Sequence, residues 1–551
     1  MIEGTITPGF SPWERRHPAG EGQVSEQLAG ETPALPGGEE AVSLRHWVAL
    51  VGAMLGAFMA VLDIQITNAS LNNILGSLGS TLDEGSWVST SYLIAEIVVI
   101  PLTGWLSEVF STRRYLLANA ALFLLFSVAC AWAWNLPSLI IFRVLQGFTG
   151  GALIPTAFSL VLKVLPPAKR GLGFALFGMT ATFAPAIGPT VGGWLTDNYG
   201  WPSIFYLNLI PGILLIGAVA WGLDRERSKL GLLRQGDWLG ISFMGVGLGS
   251  LIVFLEEGNR NDWLNSGFIA TMGGLAAGSL IAWVTVELSQ ANPFVNLRLL
   301  ARRNFGLGSI VGMAFGAGMY GATYLLPMYL AQVQGYNAQQ IGETIMWSGL
   351  PQIAMMPLAV LLLKRIDARI LLTLGLILFS ASSFMNSTLT NLSAYDQLRW
   401  TQVVRALGMP LVIVPITTLA TGLIEPEQSG SASALFNMFR NLGGSIGIAL
   451  LATQLDWREK LHSVRLGESV TALSPATSDR LSLLSHQFKS RGAEALAAVQ
   501  QATGALAGIV KRESFVMAYG DCFFLLGAVL LSTIVLVWFC RSASPRVLAA
   551  H

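Results

Sequence analysis

Apolar residues run along this chain in long blocks, each close to the ~20 residues needed to cross a bilayer as a helix. Short polar or glycine-rich breaks separate them. Fourteen blocks predict fourteen spans, at about 47–74, 86–108, 115–134, 138–162, 171–196, 202–222, 237–255, 265–286, 304–330, 342–363, 370–389, 398–423, 430–453 and 515–540. Trp47, Trp87, Trp134, Trp201, Trp238, Trp263, Trp400 and Trp538 fall near block ends, where an interfacial aromatic belt places them. Residues 1–43 hold Pro, Gly and Glu with no apolar core, so they read as a disordered tail rather than a cleavable signal.

Lys and Arg orient the spans. With both termini inside, the inner loops and tails carry twenty, among them Arg113, Arg114, Lys163, Arg170, Arg227, Lys229, Arg303 and Arg369. The short outer loops carry only Arg260 and Arg399. Positive charge is retained on the cytoplasmic side, so both termini are expected there. The one long outer connection, Gln454 to Ser514, has apolar residues at helical spacing from Ser478 to Val510 (Leu481, Leu484, Phe488, then Leu506, Ile509, Val510). That spacing predicts one or two amphipathic helices, serving either as a solvated cap or as a docking surface.

Composition agrees with the pattern. The chain is 53% hydrophobic and 12% charged, with a mean hydropathy of +0.57. A net charge of +1 offers no basic field for nucleic acid. Cys130, Cys522 and Cys540 are too scattered for a metal knuckle, and no His falls in a span, so no metal or haem site is expected.

The blocks repeat. "GLGFALFGMTATFAPAIG" from Gly171 is echoed by "GSASALFNMFRNLGGSIG" from Gly430, and "RVLQGFTGG" from Arg143 by "RALGMP" from Arg405. Both echoes keep nearly the same offset and the same order. The domains expected are a 1–43 tail, a six-span half at 44–225, a two-span insert with linkers at 226–300, a second six-span half at 301–541 that includes the 454–514 loop, and a 542–551 tail. Two parallel halves about a central cavity describe a secondary transporter that rocks.

Four motifs, in order and on successive spans, resemble the major facilitator superfamily, in particular its fourteen-span drug:proton antiporter branch (the EmrB/QacA type). "LDIQITNASLNNI" from Leu62 is similar to the branch's first-span pattern at Asp63 and Asn68. "GWLSEVFSTRR" is similar to its inner-loop motif at Gly104, Leu106, Arg113 and Arg114, with Glu108 where Asp is usual. "RVLQG" matches the fourth-span motif at Arg143, Gln146 and Gly147. Gly188, Pro189, Gly192 and Gly193 form the G-P-x-x-G-G antiporter motif of the fifth span. The resemblance covers about residues 44–541. It implies an all-α integral membrane fold of six, two and six helices in a bacterial inner membrane. It implies proton-driven export of lipophilic compounds with a periplasmic adaptor and an outer-membrane channel as partners, and no cofactor beyond the proton gradient. Export of one natural product, such as a fatty acid or siderophore, is the alternative. A membrane-embedded enzyme is disfavoured: no Ser-His-Asp or His cluster is present, and "GFTGGAL" lacks the Lys of a phosphate loop.

Charges at membrane depth are costly and default to function. At 1.5 Å per residue, Asp63 lies roughly 24 Å and Arg143 roughly 21 Å from the inner face; the resemblance implies that spans one and four are neighbours, so the two can meet; Glu96 lies roughly 15 Å deep. An acid whose contact with Arg depends on conformation changes its proton affinity between states. Asp63 and Glu96, tuned by Arg143, are the expected proton-coupling groups; a permanent structural pair is the alternative. Asn68, Tyr92, Gln146, Tyr320, Tyr324 and Arg440 are expected at the substrate cavity. Gly104, Glu108, Arg113, Arg114 and the motif Gly188, Pro189, Gly192, Gly193 are expected to gate or bend. The resemblance implies that the fifth span lies at the interface of the halves, where its Gly-Pro bend is expected to seal them.

Overall fold

The structure is a computed structural model that describes residues 42–290, 293–422, 424–471 and 473–542. The expected tails at 1–41 and 543–551 lie outside the described residues. Those described are helical, without strands.

Fourteen membrane-length helical segments appear in the expected order. The first half comprises Leu44–Leu78, Glu84–Phe110, Thr112–Ala131, Leu136–Val164, a fifth in two pieces (Lys169–Pro185 and Ile187–Tyr199), and Ser203–Gly222. Trp238–Gly258 and Gly267–Ser289 are the seventh and eighth. Arg303–Gln332, Gln339–Leu363, Ala368–Ser387, Tyr395–Thr421, Ser429–Ser469 and Ala495–Phe539 complete the set. The pieces of the fifth span meet at 45°. Pro185 and Pro189 lie inside it, and a proline lacks the N–H for one ladder bond and crowds the carbonyl four residues back. The face at which the first span begins is called the inner face below, after its expected location.

Two helices outrun the membrane. At 1.5 Å per residue, the 41 residues of Ser429–Ser469 and the 45 of Ala495–Phe539 reach roughly twice the ~30 Å hydrocarbon core. The connection expected from Gln454 to Ser514 is therefore largely these two helices continued outward. The separate helix Pro475–Ser490 packs on the second of them. Of the amphipathic stretch, Leu481, Leu484 and Phe488 sit on that separate helix, whereas Leu506, Ile509 and Val510 belong to the final span itself, which begins twenty residues before the expected 515. Its apolar spacing passes without a break into the membrane segment, so nothing ends the helix. Asp521 binds the two extensions, accepting from His462 Nε2 at 2.8 Å and pairing with Arg458 Nε at 3.3 Å.

The repeat is visible in packing. Gly188 and Gly192 of the fifth span face Gln65 and Ile66 of the first. In the second half, Gly443, Gly444 and Gly447 of the thirteenth span face Met313, Tyr320 and Ala317 of the ninth. In each half the glycines of the fifth helix thus admit the first helix to backbone distance, the arrangement that drives helix association in lipid. Ser70 of the first span adds a 2.6 Å hydrogen bond with Thr196 of the fifth.

Gly188 therefore serves its own half. The fifth span meets the second half on other surfaces, where Gly178 approaches Ile413 and Met356, and Gly342 approaches Thr190. Gly193 is buried and Pro189 half-buried on the same helix. A Cβ at Gly188 would lie 2.5 Å from Gln65 Cβ. Gly188→Leu is expected to lower the melting temperature, with an overpacking cost of about 1–3 kcal/mol, and to abolish transport. Gly171→Ala, whose Cβ would meet Val360 at an ordinary 3.5 Å, is expected to leave both unchanged. Thermal unfolding in detergent and a transport assay check the pair.

Candidate functional site: a buried ion network beside an outward-facing cavity

The fourth span starts at a capping box, with Asn135 accepting from Ser138 N and Ser138 closing back on Asn135. Two turns further on, Arg143 points inward and is completely buried. Its Nη1 sits 2.5 Å from Asp63 Oδ2 of the first span. The same guanidinium donates to Gln146 Oε1 at 2.8 Å and to the Val88 carbonyl at 3.3 Å. Asp63 Oδ1 accepts from Gln146 Nε2 at 3.0 Å and from Asn208 Nδ2 at 2.6 Å. Asn208 is fixed in turn by Ser127 Oγ at 2.9 Å. The Tyr92 ring covers the guanidinium, 4.2 Å from Cζ to centroid. Spans one, two, three, four and six thus converge on one ion pair inside the first half.

Glycines make the convergence possible. A side chain at Gly147 would strike the Tyr92 backbone, and one at Gly151 would come within 2.8 Å of Glu96 Cα. The motif from Arg143 is in effect an arginine followed by the flat surface that lets the second helix cover it.

Beside this network, running toward the outer face, lies a cavity of about 400 Å³. Its wall includes Gln65 and Asn68 of the first span, Thr90 and Glu96 of the second, Tyr320 and Tyr324 of the ninth, and Asn441 and Ser445 of the thirteenth. Asn68 accepts from Ser89 at 2.5 Å, and Asn441 Nδ2 donates to Glu96 Oε1 at 3.3 Å, a hydrogen bond between the halves. The seventh span closes one side with Ile252, Leu255, Glu256, Asn259 and Arg260. It is bonded to both halves. Glu257 accepts from Thr90 at 3.1 Å, Asn259 donates to Asp456 at 3.3 Å, and Trp263 just beyond donates to Thr453 at 3.1 Å.

The expected cavity residues divide. Asn68, Tyr320 and Tyr324 line it, as does Glu96. Tyr92 and Gln146 lie instead in the buried network, with no exposed surface. Arg440 stands behind the wall: its Nη2 donates to Asn441 Oδ1 at 3.3 Å, its Cζ lies 5.5 Å from the Phe177 ring centroid, and its Nε and Nη1 are buried without a partner. Arg405, the echo of Arg143, is buried on the twelfth span and forms no ion pair among the described residues. The repeat offset carries Asp63 onto the Ala322 region of the ninth span, which supplies no acid. Residues missed from the sequence are Asn208, Glu256 and Glu257.

The cavity is shut toward the inner face. Gly104 of the second span abuts Gly430 at the start of the thirteenth; a Cβ on Gly104 would lie 2.8 Å from the Gly430 carbonyl carbon. Ser433 Oγ donates to the Pro155 carbonyl at 2.7 Å, and the rings of Phe158 and Phe436 stand 5.7 Å apart. The charges of the inner-loop motif are engaged elsewhere. Glu108 pairs with Lys229 at 2.9 Å, Arg113 donates to the Ala220 carbonyl at 2.8 Å, and Arg114 donates to Ser228 at 3.2 Å. These partners lie on the sixth span and the linker after it. Two glycine backbones and the Ser433 hydrogen bond join the halves there, and among the described residues the partners found for Glu108, Arg113 and Arg114 do not cross between the halves.

Helices in two six-span halves, a cavity between them and closure at one end define a membrane transporter of the alternating-access kind. The sequence model of the Major Facilitator Superfamily matches residues 53–448, and the chain belongs to that family. It is 36% identical to the colistin resistance protein EmrB of Acinetobacter baumannii, over 82% of this chain and 88% of that one. It is 32% identical to the multidrug export protein EmrB of Escherichia coli K12, over 89% and 94%, and 32% identical to the fatty acid resistance protein FarB of Neisseria gonorrhoeae, over 90% and 96%. Its fold is shared with the human organic anion transporter MFSD10, at a TM-score of 0.57 and 12% identity over 89% of this chain and 99% of that one. The proton:xylose symporter XylE also superposes with a TM-score of 0.57, at 12% identity over 92% and 98%.

Proposed function

We propose that the chain is an inner-membrane permease that exports lipophilic or amphipathic compounds by alternating access, driven by protons that pass through Asp63 and Glu96. The observation that carries the reading is the adjacency of two parts. A closed, buried Asp63–Arg143 pair lies directly beside a cavity whose wall includes Glu96 and is built from both halves. Rearrangement of the second span moves Glu96 and, through Val88 and Tyr92, the seat of Arg143 together. A carboxylate whose partner is held by a moving helix changes its proton affinity as that helix moves.

The test is transport of a fluorescent lipophile in proteoliposomes. An imposed pH gradient is expected to drive accumulation, and nigericin to abolish it. Uptake that follows a sodium gradient and ignores the proton gradient would refute proton coupling. Export of one anionic natural product is the second reading, and the two unpartnered nitrogens of Arg440 behind the cavity wall favour it.

The outward extensions support a partner. The helix Pro475–Ser490 and the start of the final helix expose Leu483, Leu496 and Val499 beyond the membrane. Exposed apolar side chains on these extensions are surface that a docked partner would cover. The partner proposed is a periplasmic adaptor leading to an outer-membrane channel. Deleting 460–510 is expected to remove a co-expressed adaptor from a pull-down while the permease remains in the membrane fraction; an adaptor that still co-purifies rules out the docking role.

A further inference from the structure

The acids at the cavity and beside it differ in how far their charge is answered. Asp63 has Arg143, Gln146 and Asn208. Glu257 has Thr90 at 3.1 Å and Arg260 at 4.0 Å. Glu96 accepts from Asn441, whose oxygen takes the Arg440 guanidinium, so a relay leads from that acid to a cation. Glu256 stands apart. Its Oε1 is buried and has no hydrogen-bond partner, Ser445 engages the carboxyl, and among the described residues it forms no ion pair.

Glu256 is a wall residue of the cavity. Around it the lining turns apolar, with Ile252 and Leu255 on its own helix, Ile448 opposite, and the rings of Tyr320 and Tyr324. A buried carboxylate with an unanswered oxygen is unfavourable unless a cation or a proton completes it. A lipophilic cation supplies what this wall lacks, with charge for the carboxylate and apolar surface for the rings. An anion finds less. The one cation among the described lining residues, Arg260, is at the mouth and faces Glu257.

We propose that Glu256, carried by the two-span insert rather than by either six-span half, is the carboxylate that selects lipophilic cations in this cavity. The insert thereby has a role in specificity. Its first helix stands at the seam of the halves, bonded to the second span through Glu257 and to the thirteenth through Asn259 and Trp263, so it presents Glu256 at a fixed height in the wall. This rests on the export reading above, and binding separates it from proton coupling.

The experiment is equilibrium binding by the purified full-length protein, read by tryptophan quenching, of tetraphenylphosphonium and of the uncharged triphenylphosphine oxide. Tetraphenylphosphonium keeps its charge at every pH, so the probe itself brings no protonation to the contact. The wild type is expected to prefer the cation by about ten-fold or more, the scale of one buried charge contact. Glu256→Gln is expected to erase that preference while binding the neutral probe as before, and Glu256→Asp to keep a preference of the same sign. An unchanged preference in Glu256→Gln overturns the proposal. So does parallel loss of both probes, which would make Glu256 a shaper of the wall, and so does a wild type that shows no preference. Loss of pH-driven transport alongside intact Glu256-dependent binding would sink proton coupling and leave this assignment standing.

Discussion

Asp63→Asn is expected to reduce pH-driven transport to the level of empty liposomes and to destabilise the protein. The two effects have different origins. Asparagine leaves Arg143 charged, completely buried and without its counter-ion, and breaking one side of a buried pair costs about 3–5 kcal/mol. The network cannot absorb this, because Gln146 and Asn208 turn their amide N–H groups toward Asp63 and would meet a weaker acceptor. A lower melting temperature alone would thus fit a purely structural pair. The double variant Asp63→Asn with Arg143→Gln decides between them. It removes both charges and leaves side chains that can hydrogen-bond one another, so the melting temperature is expected to recover most of the loss. PH-driven transport is expected to stay at background, since no carboxylate remains to exchange a proton there. Should the double variant regain pH-driven transport together with stability, the pair is a structural fixture and Asp63 is not a coupling group. Downhill exchange of substrate without a gradient supplies the control: a correctly folded but uncoupled transporter retains it.

The fold was legible because its cause is one-dimensional. A bilayer demands apolar runs of fixed length, and these are written directly in the chain. Asp63 and Arg143 were legible for a related reason, since a charge inside such a run stands out and its depth can be counted; that their spans are neighbours came from the family resemblance. Asn208 was not. It carries no charge, and it falls at the junction of a short helix, Ser203–Tyr206, with Leu209–Gly222, where an amide reads as a helix end. Glu256 and Glu257 were lost at a boundary. Two acids after an apolar run look like the start of a loop, yet the helix continues to Gly258 because the neighbouring spans and the cavity receive both carboxylates. Tyr92 and Gln146 show the limit of one-residue reasoning. Tyr92 lies on a span that bounds the cavity, and the rotation of that helix turns its side chain to the core, whereas Gln146 lies on the fourth span, which supplies no wall residue among those described. The glycines of the fifth span were legible as close packing. Which helix they admit was not, because the chain states that a surface is flat without naming what lies on it.

Closure at the inner face should be sensitive to a single added methyl group. Gly104→Ala places a Cβ 2.8 Å from the Gly430 carbonyl carbon, 2.9 Å from its oxygen and 3.2 Å from Ser431 N. All three are backbone atoms, so no side chain can swing away. Gly104→Val adds two further carbons to the same contact. The state described here, shut at the inner face and open in the cavity above, is therefore penalised, while a state with the inner ends apart is not. An added penalty of about 3 kcal/mol shifts a two-state equilibrium by more than a hundred-fold, which is enough to trap an alternating-access protein. Gly104→Val is expected to lower transport at least about ten-fold with little change in melting temperature, because only one of two folded states is affected. Gly430→Ala, whose Cβ would meet Gly104 Cα at 3.2 Å, is expected to have a smaller effect in the same direction. Glu108→Gln is the comparison at the same face. Its pair with Lys229 is more than half exposed on both sides, and such pairs are worth about 0–1 kcal/mol, so transport is expected to change by less than about five-fold. The readout that distinguishes a shifted equilibrium from a damaged one is Ser433→Cys, at a side chain now buried against Pro155. In the Gly104→Val background a membrane-impermeant maleimide applied from the inner side is expected to label it readily, and in the wild-type background slowly. Equal labelling in both, with transport intact, would show that the two helices can part at Gly104 and still close elsewhere.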